Sequence, residues 1–198
     1  MIRIIRCLFF VLPFVTSFVQ GQHDFYNKLS SAAIELTKTT VTYDPSYFSI
    51  SYPNGDVPSD KGVCTDVIIR AYRKLGIDLQ KEVHEDMKKN FSAYPKKWGL
   101  KTTDKNIDHR RVPNLMTFFS RHGTTLNNSS SAADYATGDI VCWYLGGGIT
   151  HIGIVVNKKS DDGNLLIVHN IGRGQEISDC LFEFKIIGHY RYDKTVSR

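Results

Sequence analysis

The amino-acid sequence predicts an α+β domain in which N-terminal helices pack on a C-terminal antiparallel β-sheet. Apolar residues recur at helical spacing in the first two-thirds of the chain, as far as His122. Short runs rich in Val, Ile, Phe and Tyr, bounded by Gly and Asn/Asp turns, fill the last third from Asp139 to Tyr192. Helices and strands are therefore segregated along the chain, without the alternation that builds a parallel sheet.

The N-terminus reads as a leader. Met1 Ile2 Arg3 Ile4 Ile5 Arg6 gives a basic start, and Cys7 to Val19 is an apolar run interrupted only by Pro13, Thr16 and Ser17. This pattern predicts a secretory signal peptide over residues 1–21, cut between Gly21 and Gln22, and hence a secreted or periplasmic protein. The apolar run is shorter than the ~20 residues of a spanning helix, with an uncleaved N-terminal anchor as the alternative. Residues 22–198 then form a single domain with its own core. The net charge of +5 includes Arg3 and Arg6, leaving a mild excess that gives little ground for nucleic-acid binding and suits an anionic polymer such as a cell wall.

Within the domain, Phe25, Leu29, Ala32, Ala33 and Leu36 predict an opening helix over Asp24 to Lys38. Thr40 to Lys61, rich in Tyr, Pro, Gly and Asp, predicts a long loop with several turns. Val67, Ile68, Ala71, Tyr72 and Leu75 mark one face of a second helix that Gly76 stops. Asp78 caps a third, with Leu79, Val83 and Met87 on its apolar side, and a fourth runs from Pro113 to His122. Strands follow over Asp139 to Tyr144, Thr150 to Val156, Leu165 to Asn170 and Phe182 to Tyr192, arranged as a meander.

Chemistry concentrates in three places. Cys64 falls in the first turn of the second helix, in Lys61 Gly62 Val63 Cys64 Thr65 Asp66, where unpaired N–H groups and the helix dipole favour a thiolate. His151 opens one strand and His169 closes the next, so antiparallel pairing brings both to the same end of the sheet. A helix packed on the face of His151, Gly153 and Val155 would present Cys64 to His151. Thiolate, imidazole and a third orienting polar group are the parts of acyl transfer by cysteine, which makes Cys64, His151 and His169 the candidate catalytic set. Cys142 suits a buried structural thiol, and its pairing with Cys180 is left open.

These residues carry a family resemblance. Gly62 Val63 Cys64 Thr65 Asp66, Gly138 Asp139 Ile140 Val141, His151 Ile152 Gly153 Ile154 Val155 and Val168 His169, in that order, resemble the NlpC/p60 branch of the papain-like superfamily. More closely, nearly the whole mature chain is similar to a bacterial secreted family filed as domain of unknown function 1287, with Ile107 Asp108 His109 Arg110 Arg111 Val112 Pro113 Asn114 Leu115 as a second specific string.

The resemblance implies a papain-like fold and a cofactor-free hydrolase that cuts amide bonds of peptidoglycan, within stem peptides or between muramic acid and L-alanine. It assigns Cys64 as nucleophile, His151 as base and His169 as orienting group. It also makes Tyr43 and Tyr47, upstream of the cysteine, candidates for binding the oxyanion. Asp108, His109, Arg110 and Arg111 form a charged cluster that is a candidate substrate-binding group, because arginine grips carboxylates with paired hydrogen bonds and stem peptides carry free carboxylates. An internal ion pair is the alternative for that cluster. For the whole chain the alternatives are a non-catalytic cell-wall binding module of the same fold and a metal site of Cys64, His151 and His169.

Overall fold

The computed structural model describes residues 14–194. Most of the predicted leader therefore lies outside the described residues. Helix α1 (Phe14–Leu36) begins upstream of the expected cleavage point and continues through it. It is followed by a parallel pair of two-residue strands, β1 (Thr42–Tyr43) and β2 (Lys61–Gly62), then by α2 (Cys64–Lys74), α3 (Leu79–Lys89) and α4 (Val112–His122). Among the described residues no helix is long and apolar enough to cross a membrane.

The main sheet contains β3 (Thr124–Thr125), β4 (Ile140–Gly146), β5 (Ile149–Lys159), β6 (Leu165–His169), β7 (Glu176–Ser178) and β8 (Lys185–Arg191). Helices come first and an antiparallel sheet second, so the α+β class is as predicted. The meander is corrected in one respect: the order is β3-β8-β4-β5-β6-β7, so the last strand crosses back to lie beside β4.

Strand alternation divides the core in two. On one sheet face Ile140, Cys142, Ile152, Ile154 and Val168 pack against Leu29 and Ala33 of α1, Val67, Ile68 and Ala71 of α2, and Leu115 and Phe119 of α4. On the other, Val141, Trp143, Val155 and Ile167 pack against Tyr135, Cys180 and Leu181. The Trp143 indole N–H donates to the Leu181 carbonyl at 3.0 Å. Cys142 and Cys180 thus belong to different layers with the sheet between them, and Cys64, Cys142 and Cys180 are all free and buried.

The turn into β4 is fixed by a fully buried carboxylate. Asp139 is paired with His189 Nε2 at 2.7 Å and Arg191 Nε at 2.5 Å, and accepts the Ala136 N–H at 2.8 Å. Gly138 before it has φ +85°, and a Cβ there would lie 2.6 Å from Tyr26 Cβ, so both conformation and space require glycine.

Candidate active site

The helix that carries Cys64 is started by charge. Val63 is extended (φ −125°, ψ −174°), and Asp66, three residues on, reaches back to accept the Val63 N–H at 2.7 Å. Arg110 grips the same carboxylate with both arms of its fork, Nε to Oδ1 and Nη2 to Oδ2, each at 3.0 Å. It also donates to the Ser46 carbonyl at 3.0 Å, and its own carbonyl accepts the Thr65 hydroxyl at 3.2 Å. Upstream, the Tyr43–Gly62 pairing of β1 with β2 and the 2.8 Å Lys61–Asp44 ion pair hold the approach to Cys64.

At the sheet, His151 Nε2 lies 2.8 Å from His169 Nδ1, as the antiparallel reading of β5 and β6 requires. The far nitrogen of His169, Nε2, is 2.6 Å from Ser178 Oγ, with Glu176 Oε1 at 4.0 Å. The ring of His151 leans on Trp143, 5.7 Å between centroids. Gly153 makes room for this pair: a Cβ there would lie 2.5 Å from Ile167 Cγ2 and 3.3 Å from His169 Cβ.

The expected relation between helix and histidines is corrected. Helix α2 packs on the face of Ile152 and Ile154, because its apolar residues need the larger aliphatic layer there, whereas His151 and His169 point to the Trp143 face. Cys64 reaches the histidine end through the strand's margin. The backbone N–H groups of Ile152, the residue joined to His151, and of Thr65 and Cys64 itself act on its sulfur in the sense that favours the thiolate. No hydrogen bond joins the sulfur to either imidazole in this resting arrangement.

The electrostatics also differ from expectation. Burial pushes the Cys64 thiol up to about 12, outweighing the three N–H groups that favour the thiolate. Burial, reinforced by His169, pushes His151 down to about 3. The resting site is therefore a neutral thiol beside a neutral imidazole. His109 is also pushed down to about 3 by burial. Below the ordinary histidine value of ~6.5, the unfolded chain takes up protons that folded His109 and His151 do not, so stability must fall as pH drops from ~6.5 toward 3. Urea unfolding is expected to give roughly 2–4 kcal/mol less stability at pH 5 than at pH 7.

The other predicted residues separate clearly. Tyr43 lines a cleft of about 200 Å³ together with Cys64, Trp98, Arg111 and Thr150. Burial, with the nearby Cys64 and Asp66, raises its phenol, which stays protonated and able to donate. Tyr47 is committed elsewhere: its hydroxyl donates to Asp104 Oδ2 at 3.1 Å and accepts from Asn106 Nδ2 at 2.7 Å.

Three members of the charged cluster are structural, which corrects their assignment to substrate binding. Asp108 is fully buried against His84 Nδ1 (2.9 Å) and the Asp104 N–H (2.8 Å); His109 is buried; and Arg110 is spent on Asp66. Arg111 lines the cleft, and its Nη1, shielded from solvent, has no hydrogen-bond partner. Among the described residues no group of three His, Cys, Asp or Glu side chains could hold a metal ion.

Sequence reasoning missed the residues that brace the imidazoles. Asn170 donates from Nδ2 to the Gly62 carbonyl at 3.2 Å and accepts the Gly172 N–H at 3.2 Å, tying the end of β6 to the Cys64 loop. Its position directly after His169 was the available signal. Ser178 and Glu176 lie on a three-residue strand with too little pattern to be seen.

Comparison with known proteins agrees with the second, closer part of the resemblance, the domain of unknown function 1287. The chain is 51% identical over 174 residues to "Uncharacterized protein YijF" of Escherichia coli (strain K12), covering 88% of this chain and 85% of that protein. A solved structure, NlpC2 from Trichomonas vaginalis, aligns over 84% of this chain and 46% of its own length at 18% identity, with a TM-score of 0.44; the chain thus spans about half of that protein. The profile of the family described as "Domain of unknown function (DUF1287)" matches residues 30–192, and it is to this family that the chain belongs.

Proposed function

We propose that this chain is a secreted or periplasmic cysteine hydrolase that cleaves amide bonds of peptidoglycan. The observation that carries this reading is a thiol in the first turn of a helix, in the wall of a cleft, with the N–H of Ile152 acting on its sulfur and an imidazole pair rooted at the preceding residue. The leader-like N-terminus supports the location.

His169 occupies His151 Nε2, which leaves Nδ1 as the proton acceptor. The reaction requires that bound substrate bring Sγ and Nδ1 together around the edge of β5, since no hydrogen bond joins them at rest; catalytic hydrogen bonds commonly tighten only in such complexes. His151 takes the thiol proton while sulfur attacks the amide carbon, and the oxyanion is met by the Cys64 N–H and the Tyr43 hydroxyl. Collapse expels the amine, which leaves with the proton held on His151. Water, deprotonated by the same nitrogen, then hydrolyses the thioester.

Product identification tests the reading. Glycan strands stripped of peptide indicate cleavage at muramic acid, and shortened stems indicate endopeptidase action. No released fragment would leave the second reading, a binding module, which the neutral buried thiol favours. Ser178→Ala removes one hydrogen bond from His169 and is expected to lower turnover roughly fivefold, equivalent to about 1 kcal/mol, with KM unchanged.

A further inference from the structure

Asp108, His109 and Arg111 each carry a buried polar atom without a hydrogen-bond partner, and of these three Arg111 is the one that lines the cleft of Cys64. Arg111 makes no hydrogen bond to either of the two acids that act on it: Asp108 holds His84 and the Asp104 N–H through Oδ2, leaving its buried Oδ1 without a partner, and Asp104 is engaged by Tyr47 and the Asn106 N–H. Arg111 Nη1 is shielded from solvent yet has no hydrogen-bond partner, and a guanidinium nitrogen in that condition is costly unless something else supplies the acceptor.

Its guanidinium carbon lies 4.5 Å from the centroid of the Trp98 ring, which holds the plane of the fork in place. Trp98 itself is 58% exposed and sits at φ +61°, a conformation bulky residues rarely adopt. A strained, exposed tryptophan backing an unpaired arginine is the composition of a ligand clamp rather than of a packing contact. Both side chains line the cleft that holds Cys64 and Tyr43.

We propose that Arg111, backed by Trp98, reads a free carboxylate on the substrate, so that the preferred amide is one flanked by a carboxylate-bearing residue. The proposal rests on the cysteine-hydrolase reading for what the cleft is for, but its recognition step can be measured without turnover. The fork offers two parallel N–H donors, which match a carboxylate and not a carboxamide. Arg110 cannot do this, because Asp66 already fills its fork.

The test uses the full-length Cys64→Ala protein and calorimetric titration with two probes: an alanyl-γ-glutamyl-diaminopimelate peptide, and the same peptide with its carboxyl groups converted to carboxamides. The free acid is expected to bind at least about tenfold tighter, equivalent to about 1.4 kcal/mol. Adding Arg111→Gln should abolish that preference, Arg111→Lys should keep part of it, and Trp98→Leu, which leaves the guanidinium but removes its backing, should narrow it. Equal affinity for the two peptides, binding of neither, or a preference that survives Arg111→Gln would overturn the proposal. Absence of cleavage by the wild-type protein is a separate result that bears on the hydrolase reading alone.

Discussion

Cys64→Ala is expected to reduce the release of soluble fragments from peptidoglycan by roughly 10⁴-fold or more, to the level of buffer alone. On the proposed mechanism the effect is large because sulfur forms the bond to the acyl group, which leaves no other side chain to take its place. His151→Ala should cost nearly as much, and the double variant little more than either single one, since nucleophile and base act as one unit. His169→Ala should cost less, because it removes only the group that orients His151. The measurement is fragment release followed by mass spectrometry, with thermal melting to show that each variant folds. A Cys64→Ala protein that still releases fragments would sink the cysteine mechanism. One that still sediments with insoluble peptidoglycan would show that binding and chemistry separate.

Asp66→Ala is expected to destabilise the fold by about 3–5 kcal/mol, the range for removing one partner of a buried ion pair. The substitution strands the Arg110 guanidinium, whose side chain is only 2% exposed, and deprives the Val63 N–H of its acceptor. Arg110→Ala should be comparably severe, because it also leaves the Ser46 carbonyl without its donor. Asp66→Leu combined with Arg110→Met should recover part of the loss, since no uncompensated charge remains in the interior. Urea unfolding followed by circular dichroism reads these differences. A cost below about 1 kcal/mol for Asp66→Ala would mean that this pair is not what fixes the start of α2.

The class and most elements were legible in the sequence because each carries a strong local pattern. The aliphatic run from Ile149 to Val156 is half of a buried layer, and Gly76 stops α2 where its left-handed φ of +79° is needed. The pairing of His151 with His169 followed from period two and a shared turn. Which face receives the helix did not, because both faces of β5 are apolar in sequence: Ile152 and Ile154 alternate with Gly153 and Val155. Placing α2 needed the volume that Trp143 and Leu181 occupy on the far side. The state of Cys64 was misjudged for a related reason, since the helix end favours the thiolate only to the extent that water reaches it, and Cys64 is 7% exposed. Likewise, a run of four polar residues gives no sign that Asp108 and His109 turn inward, or that of the two arginines lining the cleft Arg110 is held by Asp66.

The position of β8 beside β4 bears on how the chain reaches its working state. The strand that ends at Arg191 comes last of the strands in sequence, yet it supplies the inner neighbour of β4 and the imidazole and guanidinium that hold Asp139. A nascent chain therefore cannot complete its sheet until β8 has been made, and until then its apolar strands stay open to partners such as chaperones. This late closure makes Lys185–Arg191 a checkpoint: a product cut short before Lys185 retains Cys64, His151 and His169 but lacks the strand that pairs with β4 on the side away from β5.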